Sequence, residues 1–135
     1  MGFRQLFDQG SSTYSYLLWD DQSYAAVIID PVSDQALRDI QLIEELGLDL
    51  KYCLETHIHA DHVMGGSALR EHFGCQIGVH KNARLECAER WLEQDDQIIF
   101  GSRSLNVLYT PGHTDTDICY LADDRVFTGD TLLIR

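Results

Sequence analysis

The chain has 135 residues, 44 % of them hydrophobic, and a formal net charge of −12 from 22 acidic and 10 basic side chains. That length supports one modest domain with its own core, spanning 1–135. The negative excess repels phosphate backbones and anionic bilayers, which argues against nucleic-acid and membrane-surface partners, and no apolar stretch approaches the length of a membrane span.

In chain order, Thr13 to Trp19 and Tyr24 to Ile29 read as strands joined by the turn-like Asp20-Asp21-Gln22-Ser23, a hairpin. Asp30-Pro31 ends the second strand, because proline lacks the N–H a ladder needs. Ser33 to Leu46 has helical spacing of Leu37, Ile40 and Ile43, a cap from Ser33 or Asp34, and a stop at Gly47. Tyr52 to Glu55 is a short buried strand. Ser67 to Phe73 reads as a helix closed by Gly74, Gln76 to Val79 as a strand, and Ala83 to Trp91 as a helix by composition. Strand and turn then alternate: Asp96 to Phe100, Ser104 to Tyr109, Asp117 to Leu121 and Arg125 to Thr128. This mixture predicts an α/β or α+β sheet fold with helices packed outside. The acidic pairs Asp20-Asp21, Glu44-Glu45, Asp95-Asp96 and Asp123-Asp124 read as solvated turns and faces.

No signal-peptide pattern opens the chain, since Arg4 and Asp8 interrupt any apolar region. The cysteines Cys53, Cys75, Cys87 and Cys119 are dispersed, with no CxxC pair. They read as reduced thiols in a cytoplasmic protein, Cys53 and Cys119 being inert packing inside apolar strands.

The chemistry concentrates in His57-Ile58-His59-Ala60-Asp61-His62, which follows an apolar strand. Residues two apart on extended chain face the same side, so His57 and His59 point into one site, and the following turn brings Asp61 and His62 to it. Imidazole and carboxylate are the ligands of zinc and of non-haem iron, and a core has no use for such a set. Asp61 has three open roles: ligand, hydrogen-bond partner to a ligand, or general base. Two further turns present a donor at a strand end: Thr110-Pro111-Gly112-His113-Thr114 and Phe127-Thr128-Gly129-Asp130. His72, on a helix surface, and His80, at a strand end, read as structural.

Thr56-His57-x-His59-x-Asp61-His62, then Gly112-His113, then Gly129-Asp130, resembles the metallo-β-lactamase superfamily in order and spacing. The resemblance implies an αββα sandwich with metal at one edge between two sheets. The surrounding wording, including Ile29-Asp30-Pro31-Val32, Tyr109-Thr110-Pro111-Gly112-His113-Thr114-Asp115 and Phe127-Thr128-Gly129-Asp130-Thr131-Leu132-Leu133-Ile134-Arg135, is similar to the persulfide dioxygenase branch.

That branch implies one Fe(2+) per chain on His57, His113 and Asp130, a two-histidine, one-carboxylate facial triad with positions left for a persulfide and O₂. Asp61 would then be the catalytic outer group, with His59 and His62 contacting water. The glyoxalase II branch implies zinc, one or two ions, with His59, Asp61 and His62 joining the ligands, and thioester hydrolysis as the reaction. Met64-Gly65-Gly66 leans toward those hydrolases. The family continues beyond Arg135, so the chain reads as the N-terminal part of the family domain. An incomplete, non-catalytic metal-binding chain is therefore a third expectation, and exposed sheet faces would favour a homodimer.

Overall fold

The computed structural model describes residues 1–57, 66–83, 88–112, 115–123, 125–128 and 132–134. Two sheets carry the fold. The first has the order β1-β2-β3-β4-β5-β6, from β1 (Gly2–Asp8), β2 (Thr13–Trp19), β3 (Ala25–Ile29), β4 (Asp49–Leu54), β5 (Gln76–His80) and β6 (Arg90–Leu92). Its first three strands are antiparallel, and β3 through β6 run parallel. The second sheet, wholly antiparallel, has the order β11-β10-β9-β8-β7, from β7 (Gln97–Phe100), β8 (Arg103–Tyr109), β9 (Ile118–Ala122), β10 (Arg125–Phe127) and β11 (Leu132–Ile134).

Strand β3 shows why the sheets stack. All five of its residues are buried, and successive side chains point to opposite faces. Ala25, Val27 and Ile29 join the core between the sheets, with Tyr16, Leu54, Phe100, Val107, Tyr120 and Phe127. Ala26 and Ile28 join a second core beneath α1 (Ala36–Glu45) and α2 (Gly66–Phe73), with Ile43, Cys53, Leu69 and Ile77. A continuous apolar run is thus a strand covered on both sides. This is the expected α/β sandwich, and the described helices lie on the outer face of the first sheet.

Several predicted elements match: the β2–β3 hairpin, β4, α2, β5 and the four strands β7 to β10. The segment Ala83 to Trp91 is not helical at its two described ends, residues 84–87 lying outside the described residues. Lys81–Ala83 is a 3-10 turn, and Arg90–Leu92 pairs in parallel with Gly78–His80. Helix-forming composition there loses to sheet pairing, because an open edge of β5 offers backbone partners and a buried place for Leu92. Strand β1 had no strong sequence signal; it pairs along its whole length with β2. The α1 helix enters through a 3-10 turn at Ser33–Gln35, and neither Ser33 nor Asp34 caps it, the N-cap positions being Val32 and Gln35 without side-chain hydrogen bonds.

Asp20 is also a correction: it is buried, not a solvated turn residue. Its carboxylate accepts hydrogen bonds from the Ser102 N–H and hydroxyl, both at 2.9 Å, and from the Ser23 hydroxyl at 2.8 Å. These bonds, the Ser102 N–H first, hold it well below the usual carboxylate range. Asp20 thereby ties the β2–β3 turn to the β7–β8 turn, one sheet to the other.

Asp39 on α1 faces the opposite problem. Its side chain is fully buried, Arg38 donates Nε and Nη2 to one oxygen at 3.0 Å each, and the other oxygen has no hydrogen-bond partner among the described residues. Burial pushes the carboxyl up to about 6, against the pull of the Arg38 charge. Between its ordinary value of 3.8 and about 6, the folded chain holds a proton that the unfolded chain has lost. Stability contributed by this group is therefore full below pH ~4 and declines as pH rises to ~6. Asp39→Asn is expected to remove that slope and to raise stability at neutral pH by about 1 kcal/mol. Urea titrations at both ends of the window check this; an unchanged slope in the variant would count against it.

Candidate functional site

A cavity of about 620 Å³ opens at one edge of the sandwich, between the sheets. Its lining includes Thr56 and His57 just after β4, Thr110 after β8, Cys119 on β9 and Thr128 after β10. Ser11 to Thr13, from the β1–β2 turn, form its rim. That rim is fixed by Asp8, whose carboxylate accepts from the Ser11 N–H at 2.9 Å, the Ser11 hydroxyl at 2.6 Å and the Gln35 side-chain amide at 2.8 Å. The Ser11 hydroxyl bond is the first cause of a carboxyl held below its ordinary value.

The Glu55-Thr56-His57 segment is the best-anchored wall. The Glu55 N–H donates to the Gly78 carbonyl at 3.1 Å, which fastens it to β5. The Tyr120 hydroxyl donates to the Glu55 carbonyl at 2.7 Å, and the Ile118 N–H to the Thr56 carbonyl at 2.8 Å, which fasten it to the second sheet. From the first sheet, Asp30 accepts the Thr56 N–H at 2.7 Å and the Thr56 hydroxyl at 2.5 Å. The Thr56 oxygen in turn lies 2.9 Å from Nδ1 of His57. With the hydroxyl proton directed to Asp30, that oxygen accepts a hydrogen bond from Nδ1–H. A hydrogen-bond chain Asp30–Thr56–His57 then fixes the ring and its tautomer, leaving Nε2 as the nitrogen with a lone pair.

Asp30 reaches this position through a left-handed backbone, φ 54°, right after β3. An aspartate tolerates that conformation better than bulkier residues. Burial pushes its carboxyl up, while Thr56 and His57 pull it down. Its neighbour Glu55 is pushed up further, by burial first, then by the Asp30 charge and their mutual hydrogen bond. Asp30 is the acceptor that organises Thr56.

Of the residues singled out from sequence, His57 lies in the cavity wall. His59, Asp61, His62, His113 and Asp130 lie outside the described residues, and among the described residues no cluster of metal-ligating side chains occurs. The segments leading to them do converge: Thr56, Thr110 and Thr128, each one or two residues beyond the end of a strand, line one cavity. His72 and His80 stand apart, as expected. His72 is exposed on α2, its Nε2 3.5 Å from Glu44. His80 is buried, stacks on Tyr109 at 4.2 Å between ring centroids and accepts the Asn82 N–H on Nδ1. Sequence reading missed Asp30 as a site residue, because Asp-Pro after a strand looks like punctuation; its pairing with Thr56 spans 26 positions.

The two-sheet sandwich and its edge cavity define a class: the chain belongs to the metallo-beta-lactamase superfamily, whose model matches residues 8–135. Within that class it is 44 % identical over 135 residues to the mitochondrial persulfide dioxygenase ETHE1 of Bos taurus, a match covering 98 % of this chain and 53 % of that protein. A hydroxyacylglutathione hydrolase of Pelagibacter ubique is 36 % identical over 123 residues, covering 88 % of this chain and 51 % of that one. The crystal structure of ETHE1 from Myxococcus xanthus superposes with a TM-score of 0.91 and 47 % identity, covering 99 % of this chain and 59 % of that one. The chain spans about half the length of the curated relatives it matches. No helix among the described residues is long and apolar enough to cross a membrane.

Proposed function

We propose that this chain is the metal-binding part of a non-haem iron persulfide dioxygenase, with His57, His113 and Asp130 as ligands to one Fe(2+). The observation that carries the metal reading is convergence: the residues leading to each of these donors line one cavity. Two imidazoles and a carboxylate suit ferrous iron and leave coordination positions for small molecules. Similarity to persulfide dioxygenases along nearly the whole chain supports the choice of branch.

In this reading the substrate is glutathione persulfide or a similar low-molecular-weight persulfide, oxidised with O₂ to sulfite and the free thiol. Bound iron supplies a site for the persulfide sulfur and electrons for dioxygen side by side. The chain's own part is positioning. Asp30 and Thr56 hold His57 in the tautomer that offers Nε2, and fix its ring before any ligand arrives. Ser11 and Thr13 give the cavity a hydroxyl rim that suits a polar thiol substrate. Asp61 is the candidate proton acceptor, and His59 and His62 are candidate water-contacting groups. The dispersed thiols favour the cytoplasm as its compartment, whereas the mammalian relatives carry "mitochondrial" in their names. No membrane or nucleic-acid partner is proposed; self-association through exposed sheet faces is, with sedimentation as its check.

Metal content and activity test the proposal together. The expected result is one iron per chain and persulfide-dependent oxygen uptake yielding sulfite. A second reading draws on the hydroxyacylglutathione hydrolase relatives: two zinc ions with His59, Asp61 and His62 as added ligands, and hydrolysis of lactoylglutathione. That outcome would replace the first. Stoichiometric iron with neither activity would favour a metal-binding chain that does not turn over by itself.

A further inference from the structure

At a distance from the cavity rim, two thiols separated by 22 positions in sequence meet: Cys53 Sγ lies 3.4 Å from Cys75 Sγ. Cys53 sits on β4, and Cys75 immediately precedes β5, the parallel neighbour strand. Both are free thiols in the core beneath the helices. A disulfide needs the sulfurs at about 2.0 Å, so the two sulfurs, in contact at 3.4 Å, would have to close by a little over 1 Å to bond.

The two thiols are unequal. Cys53 has no exposed surface, whereas Cys75 keeps 4 % and forms part of the floor of a shallow groove of about 400 Å³ bounded by Lys51, Tyr52, Phe73 and Gln76. The hydrogen bond between them polarises the pair. The contact with Cys53 draws the Cys75 thiol below its ordinary value, whereas the same contact, followed by burial, pushes the Cys53 thiol up. One sulfur therefore faces outward as a nucleophile, and the other waits behind it as a resolving thiol.

We infer that Cys75 and Cys53 form a peroxide-sensitive dithiol, a second thiol site that closes to a disulfide between β4 and β5. The opening at Cys75 is narrow, so the oxidant it admits is a small hydroperoxide. With hydrogen peroxide, the Cys75 thiolate attacks one oxygen, the O–O bond breaks, and the other oxygen leaves as hydroxide, giving a sulfenic acid at Cys75. The Cys53 sulfur then attacks the Cys75 sulfur, the S–O bond breaks, and water leaves with the Cys53 proton. The disulfide would tie β4, which ends three residues before His57, to its neighbour β5. It would also form under the start of α2, where a Cβ placed on Gly66 would lie 3.1 Å from the Cys53 Cβ. This inference is independent of which metal or reaction the cavity serves.

The test treats the reduced, folded chain with graded hydrogen peroxide in the presence of a chelator, alkylates remaining thiols, and maps peptides without reduction. The expected product has lost two hydrogen atoms and contains one linked peptide pair, Cys53 with Cys75. Cys53→Ser should instead stop at a sulfenic acid on Cys75 that dimedone traps. Should Cys53→Ser fail to fold, the wild-type map decides alone. Both thiols remaining open to alkylation after peroxide, or oxidation mapping to Cys87 or Cys119 with this pair intact, overturns the inference.

Discussion

Asp30→Ala is expected to lower unfolding stability by about 3–5 kcal/mol and to weaken metal binding about 10- to 100-fold. The stability loss follows from what the carboxylate holds. Its oxygens take the Thr56 N–H and hydroxyl, and all these groups are buried. Alanine removes the acceptor of the buried Thr56 N–H and frees the Thr56 hydroxyl to turn elsewhere, and each buried donor left stranded costs about 1–3 kcal/mol. It also leaves Glu55 buried without its hydrogen-bond partner.

The metal effect is transmitted through Thr56. Without Asp30 the Thr56 hydroxyl is no longer directed away from His57, and the 2.9 Å contact to Nδ1 no longer selects one tautomer. Asp30→Asn separates the two effects. Its amide oxygen can still accept the Thr56 N–H, so more of the fold should survive. Its NH₂ now donates to the Thr56 oxygen, which turns the hydroxyl proton toward Nδ1 and shifts the hydrogen of the neutral ring onto Nε2. Asp30→Asn should thus bind metal nearly as poorly as alanine while unfolding closer to wild type. Urea midpoints together with metal competition by a chromophoric chelator measure both. Wild-type metal affinity in Asp30→Asn would sink the tautomer argument.

The parts of this molecule that could be read from sequence are those whose cause is local. Strand β3 announces itself as five apolar residues between turn signals, and it is buried on both faces. Gly47 and Gly74 mark helix stops and adopt φ of +67° and +72°, where a side chain would be strained. The place of His57 in the wall of the cavity was also legible, because several imidazoles and a carboxylate in so short a span after a strand have no use in a core. What was not legible depends on partners far away in sequence. Arg90–Leu92 is a strand only because β5 lies beside it, and its own composition favours a helix. Asp20 looks like a surface acid until Ser102, 82 positions later, folds onto it. Asp30 and Cys75 gain their roles in the same way, through Thr56 and Cys53.

Phe127→Ala is expected to destabilise the chain by about 3–5 kcal/mol, the cost of an unfilled cavity in a core that cannot collapse around it. Phe127 is fully buried on β10 and joins the sheets. Its ring packs against Tyr16 at 5.0 Å and Phe3 at 6.1 Å between centroids, both on the first sheet. Phe127→Leu retains most of the apolar volume and should cost less, about 1–2 kcal/mol. The position matters for the site as well as the core. Thr128 follows directly and lines the cavity, and the proposed ligand Asp130 lies two residues further on. An anchored Phe127 fixes where that segment leaves the sheet, while His57 is anchored separately through Asp30 and Tyr120. If Asp130 is a ligand, Phe127→Ala should weaken metal binding more than a core truncation of equal energetic cost placed away from the cavity, such as Ile43→Ala on α1. Chelator competition on both variants, under conditions where each remains folded, makes the comparison. Equal metal affinity in the two would remove the link between the inter-sheet core and the metal site.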